Sequence, residues 1–231
     1  MFRHTAFFLF RDDITPEKQL LMRKGLAYMR YECSSVLAID YGTDLFGGSE
    51  VLRTVKPWER TPRWRARTEG PPCNYDVALQ LDFADAAGNE EYNNDDVHHE
   101  VGEYNASICR SELTARVDWE YDSDQPLNAP GQVRHSAMFV WTDEADDAAK
   151  QNALDAVRSL ESESDVGLVT IGKNVGKLQT DYDWIMDLQV SSPDATKALL
   201  SGDAYAAAMK EVIPATKHEW TARLSHVMHG I

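Results

Sequence analysis

The alternation of apolar and polar positions predicts strands and helices in a fixed order. His4 to Phe10 is apolar and β-rich, and His4, Ala6, Phe8 and Phe10 share one face by the period of two. Thr15-Pro16-Glu17 reads as a helix start, an N-cap followed by proline at the first helical position. Leu20, Leu21, Lys24 and Tyr28 then fall at helical spacing to about Arg30. Val36 to Thr43 and Tyr75 to Phe83 read as strands, Asp85 to about Asn105 as a polar helix, and Ser111 to Trp119 as a fourth strand. A second set follows. Its strands run from about Val133 to Trp141, Val166 to Asn174, Tyr182 to Val190 and His218 to Val227. Its helices run from about Glu144 to Leu160 and from Pro193 to Glu211, with Pro214 expected to end or kink the last one.

The two sets share sequence as well as order. Arg3-His4-Thr5-Ala6-Phe7-Phe8 returns as Arg134-His135-Ser136-Ala137-Met138-Phe139, an offset of 134 − 3 = 131. Tyr75-Asp76-Val77 returns as Tyr182-Asp183-Trp184 and Thr114-Ala115-Arg116 as Thr221-Ala222-Arg223, both at an offset of 107. Matches in the same order with one change of offset indicate duplication, and the change places an insertion in the first copy between Asp44 and Cys73. The expectation is an α+β chain of two ferredoxin-like β-α-β-β-α-β repeats packed sheet to sheet. The first domain spans residues 1–121 with the insertion at about 47–72, a linker 122–131 carries Pro126, Pro130 and Gly131, and the second domain spans 132–231.

Charge narrows the partners. The net charge of −15 opposes nucleic acid and anionic membrane surfaces. No apolar run approaches the roughly 20 residues of a bilayer span. Cys33, Cys73 and Cys109 show no metal spacing and suit free thiols in a reducing compartment, so the chain is expected to be cytoplasmic.

Residues 90–104 concentrate the acid/base groups. They hold Tyr92, Tyr104, His98, His99 and six carboxylates. On an unbroken helix Tyr92 and His98, six apart, would lie about 240° from each other. Asn93-Asn94-Asp95-Asp96 supplies a break, with Asp95 or Asp96 capping a new helix near Val97 and His98 in its first turn. There the dipole disfavours the imidazolium, so a neutral His98 could act as general base while Tyr92 donates to a developing oxyanion. His4, beside an aromatic-lined cavity, would help polarise the substrate. His99 and Glu103 stand at i, i+4, but without a second ligand pair no metal is expected. His226 and His229 receive no role. The insertion is a basic, aromatic island with Trp58, Arg63 and Trp64, suited either to docking on an acidic surface or to covering a substrate.

The repeat, the Arg-His before a hydrophobic strand, and the Tyr-x5-His of the second helix resemble the stress-responsive dimeric α/β-barrel (Dabb) family, here as a tandem fusion. The resemblance implies two sheets forming an internal dimeric α/β-barrel. Many members have no known activity, and a plant member, olivetolic acid cyclase, closes a linear polyketide without a metal. Plant hydroxynitrile lyases are similar in fold. The family helix carries a tyrosine and then His-Pro-x-His; Tyr92 and His98 match its ends, whereas Asp95 and Asp96 replace the first histidine and proline. His4 matches the histidine of the first strand. In the second copy Leu199 and Tyr205 stand opposite Tyr92 and His98, and only His135 survives. The implied function is a cofactor-independent lyase or cyclase acting on a small aromatic or polyketide-like compound in one pocket of the first repeat. His98, Tyr92 and His4 would be catalytic, and Phe8, Tyr28, Trp58, Arg63 and Trp64 would line the substrate. The alternative is a non-catalytic barrel that binds a ligand or oligomerises, with a homodimer of the fused chain as one assembly. A cofactor-free or haem oxygenase relative of the same fold is a third reading.

Overall fold

Each opening strand lies inside its sheet. β1 (Phe2–Phe8) pairs antiparallel with β3 (Val77–Phe83) and β4 (Ala115–Glu120), and β2 (Ala38–Thr43) extends the sheet beyond β3. The second sheet repeats this with β5 (Val133–Phe139) between β7 (Trp184–Val190) and β8 (Ala222–Val227), and β6 (Val166–Lys173) at the edge. The orders are β2-β3-β1-β4 and β6-β7-β5-β8, the two ferredoxin-like repeats expected. This computed structural model describes residues 1–47, 74–176 and 182–230. The expected insertion beyond residue 47, with Trp58, Arg63 and Trp64, lies outside the described residues, as does Cys73.

The helices of the first repeat are α1 (Pro16–Glu32), α2 (Ala86–Asn93) and α3 (Asp96–Ile108); those of the second are α4 (Asp147–Ser159), α5 (Pro193–Ser201) and α6 (Asp203–Ala215). Thr15 caps α1 by accepting from the Lys18 amide. Several boundaries differ from the sequence reading, most clearly at the last strand of each repeat. Ser111–Leu113 and His218–Trp220 form 3-10 turns, so β4 and β8 begin only at Ala115 and Ala222. The long second helix of the second repeat is divided at Gly202, the counterpart of the break after Asn93, and its last part ends at Ala215, one residue past Pro214 as expected.

Strand alternation divides the side chains between two cores. On β1, Phe2, Ala6 and Phe8 face the helices, while Phe7 joins Trp119, Met138, Ile185 and Leu224 between the two sheets. A third core lies under the helices of the second repeat. The sheets meet along two related seams. A Cβ on Gly172 would come within 2.3 Å of the Trp119 ring, and one on Gly42 within 2.6 Å of His226, which stands at the Trp119 position of the second repeat. Glycine at both places lets a ring lie flat on the neighbouring edge strand. The seams are stitched by Val175 N–H to Asp118 O at 2.8 Å and Leu45 N–H to Ser225 O at 2.9 Å. Each sheet edge is thereby engaged by the other repeat, which gives the internal barrel.

The Arg-His motif is explained by this geometry. Arg3 and Arg134 point between the sheets and are fully buried. Arg3 binds Asp82 bidentately at 2.6 and 2.8 Å and reaches Asp187 of the other repeat at 3.4 Å. Arg134 pairs with Asp40 of the first repeat at 2.9 Å and with Asp187 at 3.3 Å. His226, given no role from sequence, hydrogen-bonds Asp40 at 2.9 Å. Buried charges require such partners. The histidines, one residue on, face the opposite way, toward the helices.

Candidate functional site

The helix break expected at residues 93–96 is present. The Asp95 amide donates to Tyr92 O, closing α2, and Asp95 Oδ1 accepts the Val97 amide at 2.8 Å, opening α3. Tyr92 thus ends one helix and His98 lies in the first turn of the next. Their rings meet with centroids 4.1 Å apart, and the ring of His4 lies 6.4 Å from that of Tyr92. All three, with Phe8, line one cavity of about 140 Å³ between the first sheet and its helices.

His4 has a partner that the sequence did not indicate. Its Nδ1 lies 2.6 Å from Asp118 Oδ1, and both side chains are largely buried. An ionised carboxylate only accepts, so Nδ1 is the donor of the pair. The pair forms because β1 and β4 are in register with His4 opposite Asp118. The 107-residue offset converts Asp118 to Ser225, the same kind of loss that converts His98 to Tyr205, and that difference is the signal that could have found it.

Burial, with His4 and His99 nearby, pulls His98 down to about 4, so it is neutral at pH 7. Its Nδ1 is buried without a hydrogen-bond partner. Burial holds the Tyr92 hydroxyl well above the usual phenol range, so it stays protonated; it donates to Met29 Sδ at 3.5 Å, a weak acceptor. Burial likewise pushes the Cys109 thiol in the cavity wall up to about 12, which leaves no thiolate nucleophile there. Arg116 and Asn105, not singled out from sequence, also line the cavity.

Tyr28, expected beside the substrate, does not line this cavity. It is half exposed on the outer side of α1, in an apolar groove of about 390 Å³ with Leu21 and Tyr104. The helical spacing placed Tyr28 on α1 correctly, but Met22, Leu26 and Met29 take the inward positions. His99 is exposed and bonds Asn93 O at 2.9 Å. Among the described residues no three His, Cys, Asp or Glu side chains converge as a metal site, and no helix is long and apolar enough to cross a membrane.

The second repeat lacks this constellation. His135 is fully buried, its Nδ1 lies 2.7 Å from Ser225 Oγ, and burial with Arg223 nearby lowers it to about 3. Gly102 and Asn105 of the first cavity become Met209 and Val212, both buried in the second core.

No family model matches the sequence, and no curated protein sequence does. Solved structures do share its fold over both repeats. An anthrone oxidase-like protein matches with a TM-score of 0.64 and 14% identity, over 100% of this chain and 92% of the other. A proposed monooxygenase from Fusobacterium nucleatum matches with a TM-score of 0.57 and 12% identity, over 98% and 91%. A proposed monooxygenase from Lactobacillus acidophilus matches with a TM-score of 0.52 and 11% identity, over 99% and 93%. At these identities the likeness is one of fold.

Proposed function

We propose that the chain is an acid–base enzyme of the lyase or cyclase type, working on a small aromatic or polyketide-like compound with its own side chains in one pocket of the first repeat. The observation that carries this reading is the His4–Asp118 pair at 2.6 Å, set in a cavity with Tyr92 and His98. The sequence suggested His98 as the base. A base whose conjugate acid titrates at about 4 draws protons weakly. His4, with its tautomer fixed by Asp118, is the better candidate. It would take a proton from a carbon beside a carbonyl. Tyr92 and neutral His98 would donate hydrogen bonds to the enolate oxygen as charge develops there. The cavity resembles in size the roughly 150 Å³ cavity that holds benzene, so a single ring fits it.

The likeness to the Dabb family supports the reading through that family's cyclase. The names of the three solved structures raise a variant, in which the enolate made by His4 would be oxidised by dioxygen. The test is deuterium uptake into the methyl group of 4-hydroxyacetophenone in D2O, followed by proton NMR with dioxygen uptake recorded alongside. Exchange should depend on His4 and be untouched by Tyr205→Phe in the second repeat. Wild-type exchange no faster than buffer would leave the non-catalytic barrel as the better reading, and oxygen consumption would favour the oxidative variant.

A further inference from the structure

Arg116 is the cation of the cavity wall, attracted by Asp118 and Tyr92 but held by no hydrogen bond. Among the described residues it makes no hydrogen bond or ion pair, whereas Arg3, Arg110 and Arg134 are each paired with aspartate. Its counterpart in the second repeat, Arg223, is engaged. Asp118, two residues further along β4, uses Oδ1 on His4. A second observation points the same way. Asn105 is only 6% exposed, yet its Oδ1 has no partner, like Nδ1 of His98 in the same wall. Buried polar atoms are normally satisfied, so two orphans in one cavity wall, beside a guanidinium without a hydrogen-bond partner, are the negative image of a polar ligand.

We propose that Arg116 anchors a carboxylate, so that the cavity takes a small organic monoanion whose own hydroxyl donates to Asn105. Arg116 is exposed and marks the cavity mouth, which places the carboxylate at the entrance and the uncharged part inside. Two residues along a strand cover about 7 Å. Arg116 and the His4–Asp118 pair therefore stand roughly one ring's breadth apart along the sheet. With a net charge of −15 the chain as a whole repels anions, so binding of one requires a local device of this kind. Calling the anion a substrate rests on the acid–base reading above; its binding does not.

The experiment compares 4-hydroxybenzoate with its neutral isostere 4-hydroxybenzamide, by titration calorimetry at fixed ionic strength. The wild-type chain should bind the acid about tenfold or more tightly than the amide, as expected for hydrogen bonds to a charged group. Arg116→Gln should abolish that preference by weakening the acid far more than the amide, and Arg116→Lys should keep part of it. Arg158→Gln, which removes an equal charge from the exposed face of α4, should leave the preference intact. The proposal fails if neither probe binds, if acid and amide bind alike, if the preference survives in Arg116→Gln, or if Arg158→Gln removes it. Deuterium exchange is scored separately. A preference for the acid without exchange upholds the anchor and removes the acid–base reading, and exchange without the preference does the reverse.

Discussion

At the residue scale the site turns on His4 and Asp118. Asp118→Asn keeps the shape but can offer its amide N–H to Nδ1, which would turn the proton-bearing nitrogen toward the cavity. We expect it to slow deuterium uptake by 100-fold or more, as positioned general bases contribute roughly 10²–10⁴, and His4→Gln to match it. Unaltered uptake in Asp118→Asn would refute the orienting role. The lowered histidines also make stability depend on pH. His98 and His135 titrate at about 4 and about 3, against an ordinary 6.5. The folded chain therefore binds fewer protons than the unfolded one below pH 6.5, and stability falls as pH drops from 6.5 toward 4 and then 3. Asp40 works in the same direction: burial would raise it, but His226 and Arg134 hold it well below the carboxylate range, and its contribution goes as it protonates. Denaturant titrations across pH 7 to 4 should show this decline, with a shallower slope in His98→Gln. An equal slope would mean that His98 is not desolvated.

At the element scale the decisive feature is the break between α2 and α3. A continuous helix would hold Tyr92 and His98 on different faces; the interruption at Asn94 and Asp95 brings their rings to 4.1 Å. Four polar residues that favour turns made that break legible in the sequence, and the β1 face was legible from its period of two. Asp118 and Arg116 were not, because their meaning comes from the register of β4 on β1, which joins residues 114 apart in the case of His4 and Asp118. Strand pairing over that distance leaves no local pattern. Tyr28 went the other way: helical spacing gave its element, but which stripe of α1 faced inward was set by Met22, Leu26 and Met29. Removing the cap tests the break directly. Asp95→Ala should cost about 1 kcal/mol in urea unfolding and weaken probe binding as the first turn of α3 frays. Lost stability with unchanged binding would separate the cap from the site.

At the scale of the whole molecule, one repeat carries the chemistry and both carry the scaffold. The duplicated Arg-His motif shows the division: its arginines join the two sheets while only one of its histidines found an aspartate. Gly172→Ala should destabilise by about 1–3 kcal/mol because the Trp119 ring cannot retreat from a filled core. Gly102→Ala, in open space on α3, should stabilise by about 0.5–1 kcal/mol through helix propensity. The ion network makes a stronger demand. Asp187 of the second repeat meets both Arg3 and Arg134, and Arg134 reaches back to Asp40 of the first. Removing one member strands a buried charge, which costs about 3–5 kcal/mol. Because the network crosses the seam, Arg134→Met should lower the melting temperature of both repeats together, in one transition. Calorimetry would show a single peak whose calorimetric and van't Hoff enthalpies agree. Two resolved peaks, with only the second displaced, would mean that each repeat stands alone and that the buried charges do not bind them into one barrel.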